Sequence, residues 1–277
     1  MTNQEWPELA PPYKLKQCRH GLFLYNVNDM FIGKALDLYG EYGEAEVSLF
    51  KQIIHPGYLV LDIGANIGTH TVYFARQVGS RGRVYAFEPQ RIVFQQLVAN
   101  IALNSLMNVD CKQLALGTEH GVLHVPPINY MQTNNFGGVN MTEQNVGEAV
   151  TVLSLDELDL PACHVIKLDV EGMEKHVLEG AAHTIKKYRP LIYTENDRQD
   201  KSAELISYID DLNYEMYWHL PRLFNNRNFF QNPENIYKNI VSINMLCIPR
   251  EYSMSITNMK RVQGPDDDWH LAPASEA

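Results

Sequence analysis

The sequence predicts an α/β fold, an open and mostly parallel sheet with helices on both faces. Short apolar runs alternate with segments of helical periodicity through most of the 277 residues, and parallel strands need such crossovers to return the chain to the same end of the sheet. The stretch from Leu59 to Pro89 reads strand, glycine turn, helix, strand, acid. Asp62, Glu88, Ala115, Asp169, Glu195 and His219 all fall at the ends of predicted strands. Most are polar, and that rim is where open α/β sheets bind ligands.

Taken in order, residues 1–17 are Pro-rich and polar and read as an extended arm. His20 to Phe31 alternates around an Asn-rich turn, the pattern of a small hairpin, and 44–54 is amphipathic before His55-Pro56-Gly57 stops it. Residues 1–54 thus form an N-terminal extension of arm, hairpin and helix packed on a core of 55–250. The core opens with the apolar run at Leu59–Leu61, then Asp62-Ile63-Gly64-Ala65-Asn66-Ile67-Gly68, a helix to Val78 capped by Gly79, and a strand over 83–87. Pro89 suits the first turn of the next helix, which runs to Leu103, and 109–116 reads as one strand. Residues 126–147 form a long Gly/Asn-rich loop around Phe136. Strands follow at 165–168, 191–194, 214–218 and 240–248, with helices over 173–188 and 203–212 between them. A loop over 222–239 is rich in Asn and aromatic residues, and 251–277 reads as a poorly ordered tail.

Composition narrows the function. A net charge of −10 argues against a nucleic-acid surface or an anionic membrane, since phosphate binding rests on Lys and Arg. No stretch is apolar enough to span a bilayer, and no secretory leader is visible, so a cytoplasmic location is expected. Cys18, Cys111, Cys163 and Cys247 have no C-x-x-C spacing and read as buried free thiols. A dinucleotide site would want G-x-G-x-x-G, but Asp62 stands in place of the first glycine and Ile67 in place of the third. That counts against a nicotinamide-dependent oxidoreductase, the main rival. What remains, D-x-G-x-x-x-G and then Glu88 after the next strand, resembles the S-adenosylmethionine signature of class I methyltransferases.

The wider sequence resembles the FkbM-type methyltransferases. The matching blocks are LDIGANIGTHT, AFEP, LALG, NFGG, KLDVEGME and GAAHTIKKYRPLIYTE, in the family's order from about Gly21 to Ile248. The resemblance implies a Rossmann-like seven-stranded sheet, S-adenosylmethionine as cofactor, and O-methylation of a hydroxyl on a sugar, glycan or natural-product acceptor. It places Asp62 near the methionine ammonium and the backbone of Gly64, Ala65, Asn66 and Gly68 at the cofactor's carboxylate. His70, Thr71 and Pro89 are the neighbouring polar and turn residues, though His70 reads equally as a solvent-facing helix residue. Glu88 holds the ribose, the Ala115 backbone borders the adenine, and Phe136 covers adenine or acceptor. Tyr39 and Tyr42 read as packing residues or a lid.

Because an alcohol is a poor nucleophile until its proton is drawn away, Asp169 is the expected central acid, with Glu171 and His219 as further candidates for base or acceptor contact. Lys167 reads as a partner to a carboxylate. Asp169, Glu195 and Asn196 offer three oxygen ligands that could hold a divalent cation such as magnesium. A metal-free site with Asp169 as base and Glu195 as orienter is slightly preferred. A non-catalytic S-adenosylmethionine-binding subunit is the remaining alternative.

Overall fold

The computed structural model describes residues 9–141 and 144–269, with the backbone of 274–275. The chain opens on an antiparallel hairpin, β1 (Tyr13–Cys18) and β2 (Gly21–Asn26), turning at Arg19-His20. The expected arm therefore supplies a strand, and the Asn-rich segment is not the hairpin turn. Its polar side chains instead start a helix that the sequence reading lacks. Asp29 accepts from the amides of Phe31 and Gly33 at 3.1 and 3.0 Å, the capping chemistry that Asn and Asp offer at helix entries. Helix α1 (Ile32–Tyr39) follows and buries Ile32, Ala35, Leu36 and Tyr39. Helix α2 (Glu44–Ile53) buries Glu46 along with Leu49, Phe50 and Ile53.

The core continues as β3 (Leu59–Ile63), α3 (Thr69–Val78), β4 (Arg83–Phe87), α4 (Arg91–Leu103) and β5 (Val109–Lys112). The strand expected over 109–116 splits here. β6 (Ala115–Leu116) leaves the main sheet and pairs with β8 (Glu148–Leu153), which also pairs with β7 (Gly121–Val125). Then come β9 (Val165–Leu168), α5 (Glu174–Glu179), α6 (Ala182–Tyr188), β10 (Leu191–Glu195), α7 (Gln199–Asp211), β11 (Tyr214–Pro221) and β12 (Asn244–Pro249). The single helix expected over 173–188 breaks at Gly180-Ala181. A Cβ on Gly180 would meet the Gly117 carbonyl oxygen at 1.9 Å, so the two backbones cross where only glycine fits.

In space the main sheet runs β5-β4-β3-β9-β10-β12-β11, with β13 (Lys260–Arg261) and the backbone of β14 (Ala274–Ser275) beside β11. Strands β5, β4, β3, β9 and β10 are mutually parallel, whereas β12 is antiparallel to both neighbours. The sheet is thus mixed at one end. Because successive side chains face opposite ways, Leu61, Ile63, Ile166 and Ile192 pack with Leu178, Ile185 and Ile206 of the helices on one face. Val60, Val84, Val165 and Tyr193 pack with Phe50 and Phe74 on the other. From β3 the chain steps outward to β4 and β5, then returns on the far side of β3 as β9 and β10. The order reverses between β3 and β9, which opens a crevice at their carboxyl ends. No helix among the described residues is long and apolar enough to cross a membrane.

Candidate active site

A cavity of about 390 Å³ opens over that crevice. Its floor is set by register. Asp62 on β3 lies opposite Lys167 on β9, and Lys167 Nζ sits 3.3 Å from Asp62 Oδ1, 3.4 Å from Asp169 Oδ2 and 2.8 Å from the Gly64 carbonyl to which it donates. Burial alone would pull the ammonium pKa down. The carboxylates of Asp169, Asp62 and Glu46 outweigh it, so the pKa is raised and the cation persists. Thr71 Oγ1 donates to Asp62 Oδ2 at 2.6 Å. Asp62 is fully buried and is not on the cavity wall, so it acts by fixing Lys167, which is. Gly64, at φ 76°, passes so close to β9 that a Cβ would lie 1.8 Å from the Asp169 carbonyl oxygen.

Glu88 follows β4 and is anchored by backbone. Its Oε2 accepts from the Asn66 amide at 3.0 Å and its Oε1 from the Gln90 amide at 2.8 Å. Burial pushes its carboxyl up to about 7 despite those amides. It lines the cavity with Ala65, Asn66 and Thr69. The opposite lip is the long loop, where Asn135, Gly137 and Gly138 face the space. Phe136 does not. Its ring packs against Tyr130 at 4.9 Å between centroids, and Gln90 Nε2 donates to its carbonyl at 2.8 Å. The apolar residue went to the core and its small neighbours to the cavity.

Beyond β9 and β10 lies an acidic cluster. Asp169, Glu171 and Glu195 bring one oxygen each within 4.8 Å of one another. Glu171 is held at φ 56°, a conformation rare for a residue with a side chain, and Arg198 pairs with it. Burial, then the charge of Asp169, pushes the Glu171 carboxyl up to about 7. The same causes, with Asp197 added, raise Glu195 well above the ordinary range, and Glu195 Oε2 is buried without a partner. Asn196 does not join the cluster. Its Nδ2 donates toward Met245 Sδ at 3.4 Å, because consecutive residues leaving a strand point to opposite sides.

The remaining wall is one that sequence reasoning missed. Glu46 enters from α2, accepting from Tyr193 Oη and Asn244 Nδ2, each at 3.2 Å. His70 Nε2 stands 3.4 Å from Glu46 Oε2. Burial disfavours ionised Glu46, but His70, His219 and Lys167 more than offset it and its pKa is lowered. A signal was present: Glu46, Leu49, Phe50 and Ile53 fall at i, i+3, i+4 and i+7, which puts an acid on the apolar stripe of an amphipathic helix.

His219 is buried behind this wall, its Nδ1 2.8 Å from Tyr193 Oη. Burial lowers its pKa, and it does not itself line the cavity, although Asn244, its register partner on β12, does. Gly68 caps α3 at φ 86°; neither it, Pro89 nor Ala115 lines the cavity, Ala115 lying in the small sheet opposite Val152. Tyr39 is held in packing, its hydroxyl donating to the Glu234 carbonyl at 2.7 Å, whereas Tyr42 lines the cavity.

Residues 62–216 match the Methyltransferase FkbM domain. Among curated proteins, the chain is 25% identical over 171 residues to hexuronic acid methyltransferase AglP of Haloferax volcanii, a match covering 56% of this chain and 62% of that one. It is 28% identical over 154 residues to methyltransferase sdnD of Sordaria araneosa, covering 44% and 59%. The matches thus span about three fifths of the length of these relatives. A crystal structure of methyltransferase FkbM from Methylobacillus flagellatus superposes with a TM-score of 0.44 at 16% identity, over 72% of this chain and 50% of that one.

Proposed function

This chain belongs to the FkbM methyltransferase family, and from that premise we propose that it moves the methyl group of S-adenosylmethionine to a hydroxyl of a sugar, glycan or natural-product acceptor. Glu88 carries the reading. Two backbone amides orient its carboxylate, and the residue lines the cavity, a fit for a vicinal diol such as ribose. A buried acid whose pKa stands near 7 gains most from donors that restore its lost solvation. The bare backbone at Gly64 and the small residues at 137 and 138 leave room for a nucleoside beside it.

When bound, the cofactor supplies an electrophilic methyl group on a sulfonium sulfur. The chain's own part is to align the acceptor oxygen in line with it and to take the hydroxyl proton. Asp169, at the cavity floor and braced 3.4 Å from Lys167, is the acceptor of that proton. Glu195, whose pKa is raised well above the ordinary range, keeps a proton that it can donate to the acceptor, and Glu171, paired with Arg198, offers it an acceptor oxygen. Glu46 and Asn244 close the side toward β12.

Asp169, Glu171 and Glu195 are hard oxygen donors that would suit magnesium. Arg198 already neutralises Glu171 and Glu195 favours its protonated form, so the cluster is read as balanced without a metal. The deciding experiment is single-turnover transfer from methyl-labelled S-adenosylmethionine to a panel of hydroxylated sugars. Asp169→Asn should lower the rate by about 10²–10⁴ with cofactor affinity kept within about threefold. Undiminished turnover in that variant would place the base elsewhere.

A further inference from the structure

The loop between β11 and β12 walls off two spaces. Leu223, Ile240 and Val241 face the catalytic cavity. Arg222, Phe224, Asn225, Arg227, Asn235 and Lys238 surround a second cavity of about 540 Å³. Arg222 and Val241 are antiparallel bridge partners, so the two spaces lie one strand pair apart, about 5 Å between backbones.

Their electrostatics are opposite. The catalytic cavity is lined by Asp29, Glu46, Glu88, Asp169, Glu171 and Glu195, among others, whereas no carboxylate lines the second, in a chain of net charge −10. Neither Arg222 nor Lys238 has a carboxylate partner among the described residues. Arg222 Nη1 makes only a 3.4 Å contact with Asn239 Oδ1, and its Nε is buried with no acceptor. A buried guanidinium N–H without an acceptor is costly, and an oxyanion would relieve it through the paired geometry that guanidinium favours.

The loop is also built to hold its shape. Glu41 accepts from Asn225 Nδ2 and the Phe229 amide, both at 2.7 Å, and Tyr237 Oη donates to the Phe31 carbonyl at 2.6 Å. Lys238 sits at φ 54° inside this frame.

We propose that this second cavity binds the anionic group of the acceptor, a carboxylate or phosphate, and so selects an acidic saccharide or natural product whose hydroxyl reaches across the loop toward Asp169. The proposal rests on the methyltransferase reading for that hydroxyl, but the anion site stands on Arg222 and Lys238 alone. Its test is a titration of the full chain with glucuronate, glucose 6-phosphate and glucose, read on the arginine Nε–H resonances. Both anions, or whichever matches the acceptor's group, should give a saturable shift that glucose lacks. The shift should weaken by about tenfold for each cation removed in Arg222→Gln and Lys238→Gln, and collapse in 0.5 M salt. Calorimetry with S-adenosylmethionine, run alongside, should be unaffected by these substitutions; failed cofactor uptake by the wild type would indict the methyltransferase reading and leave the anion result standing. Equal shifts with glucose, no saturable shift with either anion, or a preference that survives the double variant would overturn the proposal.

Discussion

Glu88→Gln separates what Glu88 does for the fold from what it does for the cofactor. In the native state the carboxyl keeps its proton up to about 7, against an ordinary value of 4.5. Between those values the folded chain binds more protons than the unfolded one, so stability falls as pH rises through the window. The loss totals about 3 kcal/mol above pH 7. Glutamine removes that charge, but it has one acceptor oxygen where Glu88 uses two, for the Asn66 and Gln90 amides. Leaving one amide unpaired costs about 1–3 kcal/mol. The variant should therefore be less stable than wild type at pH 5 and nearly equal to it at pH 8, in urea unfolding followed at both. Cofactor binding should behave differently. Losing charged hydrogen bonds to a diol should weaken S-adenosylmethionine by about 30-fold or more at pH 8. Wild-type affinity should itself fall about tenfold from pH 8 to pH 6 as Glu88 protonates. A folded Glu88→Gln protein that binds the cofactor within about threefold of wild type would refute the role given to this carboxylate.

Three other perturbations probe the floor and the acidic cluster. Lys167→Met leaves Asp62 buried with Thr71 as its remaining partner and should destabilise the fold by about 3–5 kcal/mol; a loss below about 1 kcal/mol in denaturant titration would show that Asp62 does not depend on this cation. Gly64→Ala places a methyl 1.8 Å from the Asp169 carbonyl at φ 76°, so cofactor uptake by calorimetry should be abolished or the melting temperature lowered by several degrees; wild-type behaviour in both would contradict the close approach of Gly64 to the Asp169 backbone. Dialysis against a chelator should leave turnover unchanged, and activity lost on chelation and restored by magnesium would convert Asp169, Glu171 and Glu195 into a metal site.

What could be read from the sequence was local. Asp62, Gly64 and Glu88 sit within one strand–turn–helix–strand unit, where spacing alone places Gly64 and Glu88 on one rim and Asp62 just beneath it. Asp169 was legible as the residue after a short strand, Val165–Leu168, that is apolar except at Lys167. Glu46, Tyr193 and Asn244 were not legible as a group, because their meeting depends on α2, β10 and β12 converging from distant parts of the chain. Asn196 was misplaced by ignoring alternation: Glu195 and Asn196 cannot both face the same cavity. At Phe136 and His219 residue type misled, since a buried ring and a buried imidazole found partners in the interior. The Asn-rich turn failed because Asp29 serves equally well as a helix cap.

The most direct measurement is a crystal structure of the chain with S-adenosylhomocysteine. The account predicts its ribose hydroxyls on the Glu88 carboxylate and its sulfur turned toward Asp169. A nucleoside bound away from the carboxyl ends of β3 and β4, or with its ribose clear of Glu88, would contradict it.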